Sequence, residues 1–368
     1  RGTDGNLHLS STHAYYGSWS MWDTYRCKFT LLSLIAPYVM QDAACSLVDL
    51  FSQGKAGWST EFEPTPTVRS EHSAVILLDC FRRGLTAMNL QQAYEGMKKE
   101  LSLLPMSSPD QRLEAVSDYW AVAQIADITN HPDDAVHLSA HARNLFEQTW
   151  KKEFMNITPE YVKMKDNGLY QGTRWQYRWA APFYMSQMIE WTGREKLIEQ
   201  LSSFFSQSLF NQGNEPDIHT PYIFDLLGAP LLTQKIVTKL LTDNQMVHKY
   251  GGNAEFPTPY VGRAFRNSPD GYMAEMDEDD GTMSAWFAFS TMGFYPLIVG
   301  SDEYVLSAPL FSRIILHQPG RKDFTIETSG RRHLNAPIKK VLLNGVPLTN
   351  FIIHQKDITN GGHLLFRF

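Results

Sequence analysis

Up to about residue 295 the apolar positions recur at helical spacing. Ala74, Leu77, Leu78 and Phe81 form an i, i+3, i+4, i+7 stripe, with Gly84 as its stop. Val116, Tyr119, Trp120 and Ala123 form another. The start of that helix is spelled out in Ser108-Pro109-Asp110-Gln111: a serine cap, proline at the first helical position, and a glutamine able to reach back to the cap. Met283, Trp286 and Phe287 mark a further helix. The pattern predicts about ten helices joined by short polar or Gly/Pro-bearing loops, an array of helix pairs. No repeat of fixed period points to a solenoid.

Three long loops stand out: Gly54–Arg69, Lys151–Thr173 and Gly251–Asp280. Loops of that length in a compact domain usually carry function or lack order. After Pro296 the period shortens. Val341-Leu342-Leu343, the Asn344-Gly345 turn and Val346 predict a hairpin, and Phe324–Glu327 and Leu364–Phe368 predict strands. The division expected is a helical region over 1–295 and a small β-strand region over 296–368. The second is too short for an independent core and is expected to pair with β-structure elsewhere, including any preceding portion absent from this sequence.

Composition narrows the function. Hydrophobic residues at 43% and charged residues at 20% of 368 exclude a disordered chain. A net charge of −6 and a pI near 6.1 offer neither a nucleic-acid footprint nor a basic membrane-binding face. The longest predominantly apolar run, Phe29 to Met40, contains Pro37 and falls short of the ~20 residues a membrane span needs, so a soluble protein is expected. Cys27, Cys45 and Cys80 lack metal-ligand spacing. They read as buried thiols, with one disulfide and a free thiol as the alternative. The first residue is Arg1 and no signal peptide precedes it, which reads as a processed or excised chain.

Several segments can carry chemistry. Glu275-Met276-Asp277-Glu278-Asp279-Asp280-Gly281 immediately precedes the apolar Met283 helix. Its acids are either a solvated helix-capping run or, at the mouth of a core, carboxylates able to hold and deprotonate a water. Gly213-Asn214-Glu215-Pro216-Asp217-Ile218-His219 groups hard-oxygen and imidazole ligands that suit a hard cation or sugar hydroxyls; a capped surface loop is the plain alternative. Tyr170 to Trp179 is dense in aromatics, either a platform for sugar faces or a helix start with buried rings. The same pair of readings covers Ser18 to Arg26. No phosphate-binding glycine loop, nucleophile-elbow serine or Cys/His pair is visible.

In order, Arg1-Gly2-Thr3-Asp4-Gly5, Trp22-Asp23-Thr24-Tyr25-Arg26, Trp175-Gln176-Tyr177-Arg178-Trp179, Gly213 to His219, and Asp277 through Met283-Ser284-Ala285-Trp286 to Gly293-Phe294-Tyr295-Pro296 resemble glycoside hydrolase family 92, the calcium-dependent exo-acting α-mannosidases. The resemblance covers about residues 1–310. It implies a mainly α fold, most of an (α/α)6 toroid with a small C-terminal β region, without the family's N-terminal β-sandwich. It implies hydrolysis by single displacement with inversion, with Asp279 as general base and Asp277 assisting. It further implies calcium under the sugar, for which the Asn214–Glu215 loop is the candidate, and a mannose pocket lined by segments bearing Asp4, Trp22 and Asp23. Glu215 and His219 are expected near the leaving group, and Trp175 near the sugar. A glycan substrate implies a secreted or periplasmic protein.

One departure matters. The family's general acid is a glutamate four residues before the Trp of the Trp-Gln-Tyr segment, and here that position is Gln171. An amide cannot protonate a sugar alkoxide, a loss of ~10²–10⁴ in rate. A phosphate monoester leaves as a stable anion and needs only hydrogen bonds, so Gln171 points to mannose-α-1-phospho-6-mannose as substrate, with Arg174 supplying positive charge. The alternatives are a conventional exo-α-1,2-mannosidase using another acid such as Glu215, a non-catalytic mannose-binding relative, and a helical toroid of unrelated chemistry.

Overall fold

The computed structural model describes residues 2, 4–17, 20–55, 71–157, 169–249 and 258–368. The chain separates into two compact units. One comprises Arg1–Lys152 with Val299–Asp302, the other Glu153–Ile298 with Glu303–Phe368.

The first unit is helical, built from α1 (Met21–Thr24), α2 (Lys28–Ile35), α3 (Pro37–Ser52), α4 (Ser73–Arg82), α5 (Leu90–Leu101), α6 (Pro109–Ile128) and most of α7 (Pro132–Glu153). The stripe Ala74, Leu77 and Leu78 is buried, and α4 ends where Gly84 adopts a φ of +88°, a conformation that favours glycine. The α6 start forms as its sequence dictates: the backbone N–H groups of Ser107 and Ser108 donate to Gln111 Oε1 at 3.0 and 3.3 Å. Helix α3 packs on α5 and α4 on α6, with Leu47, Tyr94, Val122 and Ile125 wholly enclosed. None of the three cysteines is in a disulfide, with Cys27 and Cys80 buried and Cys45 half-buried.

One buried carboxylate organises the far edge of this unit. Asp79 accepts from Thr30 Oγ1 at 2.9 Å, Arg83 Nε at 2.8 Å and the Gly300 N–H at 2.9 Å. The last bond ties the returning segment Val299–Asp302 to α4. Gly300 has a φ of +93°, and a Cβ there would stand 2.9 Å from the Trp120 ring, so only glycine brings its N–H this close. Removing one partner of such a buried pair costs ~3–5 kcal/mol.

The second unit continues with α8 (Arg174–Tyr177), α9 (Met185–Thr192), α10 (Arg194–Ser206), α11 (Ile223–Leu226), α12 (Pro230–Thr242), strands β1 (Val247–His248) and β2 (Tyr260–Val261), and α13 (Thr282–Met292). Strands β3 (Phe294–Tyr295), β4 (Glu303–Leu306), β5 (Arg313–Leu316), β6 (Phe324–Ser329), β7 (Lys340–Leu343), β8 (Val346–Pro347) and β9 (Ile352–His354), then α14 (Gln355–Thr359) and β10 (Gly362–Arg367), complete it. The Asn344-Gly345 hairpin is present, with φ values of +51° and +82° between antiparallel β7 and β8, as a two-residue turn with both centres left-handed requires. Within this chain the C-terminal strands pair almost wholly among themselves. One sheet, β5-β6-β10-β7-β8, is made wholly of residues after 312, and the other, β3-β4-β9, borrows only Phe294–Tyr295 from before Pro296.

The long loops also differ in part. Helix α7 runs on to Glu153, and the 251–280 stretch contains β2, paired with β1, and a bridge between Phe265 and Tyr272. Residues 56–70, 158–168 and 250–257 of those loops lie outside the described residues, as do Arg1, Thr3, Ser18 and Trp19. Among the described residues no helix is long and apolar enough to cross a membrane.

Candidate active site

The site in the second unit is built by pinning α13 against residues 211–222. Trp286 donates from Nε1 to the Ile218 carbonyl at 2.8 Å, and its ring stacks on Phe265 at 5.7 Å. Tyr222 and Ser290 hydroxyls are 2.7 Å apart, and Tyr222 stacks on Tyr295 at 4.2 Å. These contacts bring the acidic run before α13 to the 211–219 loop. The Asp277 N–H donates to the Gly213 carbonyl at 3.0 Å. A Cβ on Gly213 would meet Met273 Cε at 2.8 Å and the Glu275 carbonyl at 3.2 Å, so glycine permits the close approach.

The acidic run divides its labour. Glu278 is a helix cap, accepting from the N–H groups of Gly281 and Ser284 at 2.7 and 3.1 Å. Asp279 and Asp280 hold left-handed φ values of +40° and +56°, a conformation that costs a non-glycine residue ~1–3 kcal/mol and clusters at functional sites. Asp277 is exposed. Burial raises the Glu275 carboxyl above its ordinary value.

Residues 211–219 form a polar loop that is buried throughout. Asp217 and His219 each tie this loop to the α8 region. Asp217 Oδ2 accepts from the Asn211 N–H at 3.0 Å and from Gln176 Nε2 at 3.1 Å, while Gln176 Oε1 caps α8 through the Thr173 N–H at 2.8 Å. His219 Nε2 donates to the Trp179 carbonyl at 2.8 Å. Glu215 is wholly buried, and a carboxylate oxygen of Glu215 and one of Asp279 lie within 4.8 Å of each other. Gln171, with a left-handed φ of +47°, lies beside them. Asn214 Nδ2 donates to Gln171 Oε1 at 3.0 Å and to the Gln171 carbonyl at 3.3 Å. The structure thus brings Gln171, Asn214, Glu215 and Asp279 together.

Other expected contacts are placed differently. Trp175, Tyr177 and Trp179 are 4%, 1% and 0% exposed, so this stretch is core and not an open sugar platform. Trp175 lies against the Phe204 ring at 6.2 Å and the Arg178 guanidinium at 5.6 Å, whose own burial lowers it to about 10. Tyr170, 41% exposed, is the ring that remains presented. Arg174 pairs with Glu153 at 3.3 Å, which offsets the charge expected to serve a phosphate.

In the first unit Trp22 and Asp23 are buried. Trp22 Nε1 donates to Glu114, and the Arg26 guanidinium sits 5.0 Å over the Trp22 ring. Asp23 accepts from Ser20 Oγ at 2.5 Å. Asp4 lies in an exposed turn, where hydrogen bonds from the Asn6 side chain, His8 and the Asn6 N–H hold its carboxyl at about 2.

Sequence reasoning missed Gln212. It is wholly buried, and neither its Oε1 nor its Nε2 has a hydrogen-bond partner among the described residues, a condition that calls for a ligand or water. Buried Glu215, with an Asp279 carboxylate oxygen within reach and the Asn214 carboxamide next to it in sequence, offers hard oxygen donors of the type calcium prefers, and the residues present therefore fit that ion.

The model of the glycosyl hydrolase family 92 catalytic domain matches residues 1–112 and 106–368. No curated protein sequence matches. Among solved structures the chain is similar to the GH92 family glycosyl hydrolase CcMan5, with 26% identity and a TM-score of 0.88, over 100% of this chain and 55% of that one. It also shares its fold with a family GH92 α-mannosidase from Bacteroides thetaiotaomicron solved with mannoimidazole (20% identity, TM-score 0.80, 100% and 53% covered). The family GH92 inverting mannosidase from Bacteroides thetaiotaomicron VPI-5482 is similar in the same way (21%, 0.79, 99% and 54%). The fold class is accordingly that of the mostly helical (α/α)6 catalytic domain with small C-terminal sheets. The chain spans about half the length of these structures.

Proposed function

Because the chain belongs to glycosyl hydrolase family 92, we propose that it carries the catalytic residues of an enzyme that releases mannose from α-mannosyl linkages with inversion, acting on mannose-α-1-phospho-6-mannose. In this reading Asp279 takes a proton from water, Asp277 assists it, and the water oxygen attacks the anomeric carbon as the bond to the phosphate oxygen breaks. The leaving phosphate monoester departs as an anion, so it takes no proton from the protein. Gln171 donates a hydrogen bond to it, and Arg174, shared with Glu153, contributes charge.

Calcium, where bound, would supply a fixed positive charge to the sugar hydroxyls. Glu215 and Asn214 would hold it, with Asp279 as a further oxygen donor. Water exclusion falls to the buried 211–219 loop. The substrate class supports a secreted or periplasmic protein acting on mannosylated glycans together with an N-terminal β-sandwich.

The observation that carries the substrate reading is Gln171, an amide held at 3.0 Å by Asn214 where the family's resemblance calls for an acid. Incubating the full-length enzyme with phosphate-capped and uncapped mannosides tests it. Mannose is expected from the capped substrate; release from α-1,2-mannobiose alone defeats it and favours the conventional mannosidase.

A further inference from the structure

We infer that Asn214 is a positioning residue that fixes the polarity of the Gln171 side chain, so that the departing oxygen meets an N–H donor and never a carbonyl. The inference rests on the proposed role of Gln171 in leaving-group departure and adds how that role is enforced.

The argument starts from a group whose direction cannot change. A peptide N–H only donates, and the Glu215 N–H points at the Asn214 carboxamide at 2.9 Å. The Asn214 atom facing it must therefore be Oδ1. That places Nδ2 on the other side of the carboxamide, where it donates to both Gln171 Oε1 at 3.0 Å and the Gln171 carbonyl at 3.3 Å. An amide nitrogen carries no acceptor, so Gln171 in turn must present oxygen to Asn214. A flipped Gln171 would set two NH2 groups against each other beside a residue only 1% exposed, where an unmade hydrogen bond is costly.

Gln171 Nε2 is left facing away from Asn214. Its one hydrogen-bond partner among the described residues is the Tyr170 hydroxyl at 3.4 Å, at the outer limit of a hydrogen bond. Its protons remain available to an incoming acceptor. The double contact from Asn214 also accounts for how Gln171 keeps its left-handed φ of +47°, since one NH2 group clamps both its main-chain and side-chain carbonyls. Polarity thus passes from the Glu215 peptide through Asn214 to Gln171, across 43 positions of sequence. A donor fixed in this way suits a leaving group that accepts hydrogen bonds and needs no proton, as a phosphate oxygen does.

The test is a double-mutant cycle in the full-length enzyme on a mannosyl phosphodiester. Asn214→Asp keeps an oxygen for the Glu215 N–H, and for a cation, but cannot donate to Gln171. It should lower kcat by about ten- to hundredfold, the range for one hydrogen bond to a charged group, with KM and the calcium concentration for half-maximal activity not raised. In a Gln171→Ala background the same substitution should cost nothing further in kcat. Losses that multiply across the two backgrounds would overturn the inference, because Asn214 would then act independently of Gln171. A neutron structure of the deuterium-exchanged wild type gives a readout free of activity and of variant folding. Deuterons are expected on Asn214 Nδ2 directed at Gln171 Oε1, with the Gln171 Nε2 deuterons directed away; Gln171 Nε2 facing Asn214 would refute it. Should the enzyme cleave no mannoside at all, the proposed function fails, and the neutron result still decides this inference.

Discussion

Replacing Asp225 with Asn should stabilise the protein at neutral pH and flatten its response to alkali. Asp225 lies in α11, the helix that follows directly on the buried 211–222 segment. Its Oδ2 accepts from the Thr233 hydroxyl, and its Oδ1 is buried with no hydrogen-bond partner among the described residues. Burial pushes the carboxyl up to about 8 against the opposing Thr233 hydrogen bond, so at pH 7 the folded protein holds a proton that the unfolded chain releases near 3.8. Protonation therefore favours the fold. The contribution is fully present below the unfolded value and is lost as pH rises toward the folded one. Within that window stability falls by ~1.4 kcal/mol per pH unit, or about 2.7 kcal/mol between pH 5 and pH 7. Asn keeps the acceptor for Thr233 and does not titrate. Urea unfolding of both proteins at pH 5, 6 and 7 measures the difference: the wild type should lose stability relative to Asp225→Asn by roughly that amount. Parallel pH profiles, or a variant less stable than wild type at pH 7, would refute the reasoning.

Other outcomes follow from the site. Asp279→Asn should reduce turnover by ~10²–10⁴ while leaving binding of a mannose-like inhibitor, measured by calorimetry, largely intact; undiminished turnover would remove Asp279 from its role. Gly213→Ala should lower kcat more than it lowers the melting temperature, because its Cβ, 3.2 Å from the Glu275 carbonyl, displaces the segment whose Asp277 N–H bonds Gly213. Chelation should lower the melting temperature, since a cation bound by the folded state alone stabilises it by mass action, and calcium should restore it better than magnesium.

Local chemistry made much of this fold legible. The Ser108–Gln111 box, the stop at Gly84 and the Asn344-Gly345 turn are each decided by groups a few residues apart, and each formed where its sequence placed it. The α13 helix was legible from Met283 and Trp286, but its meaning was not: the Trp286 bond to Ile218 spans 68 positions. The same limit governs the site. Aromatic density over 170–179 does not tell a presented ring from a packed one, and burial sorted Tyr170 from Trp175. The acids of 277–280 look equivalent in sequence, and only the N–H groups of Gly281 and Ser284 single out Glu278 as the cap. Gln212 carries no sequence signal beyond its place beside Asn214 and Glu215. Its significance lies in an unmet hydrogen-bonding demand, which is a property of the folded surroundings.

Rates of mannose release from a mannosyl phosphodiester and from α-1,2-mannobiose, compared between the wild type and Gln171→Glu, bear most directly on the claim that an amide suffices at this position. Supplying a proton donor should speed disaccharide cleavage by up to ~10²–10⁴ and bring no gain on the phosphodiester, whose leaving group departs as an anion. Faster phosphodiester cleavage with the disaccharide unaffected would contradict the account.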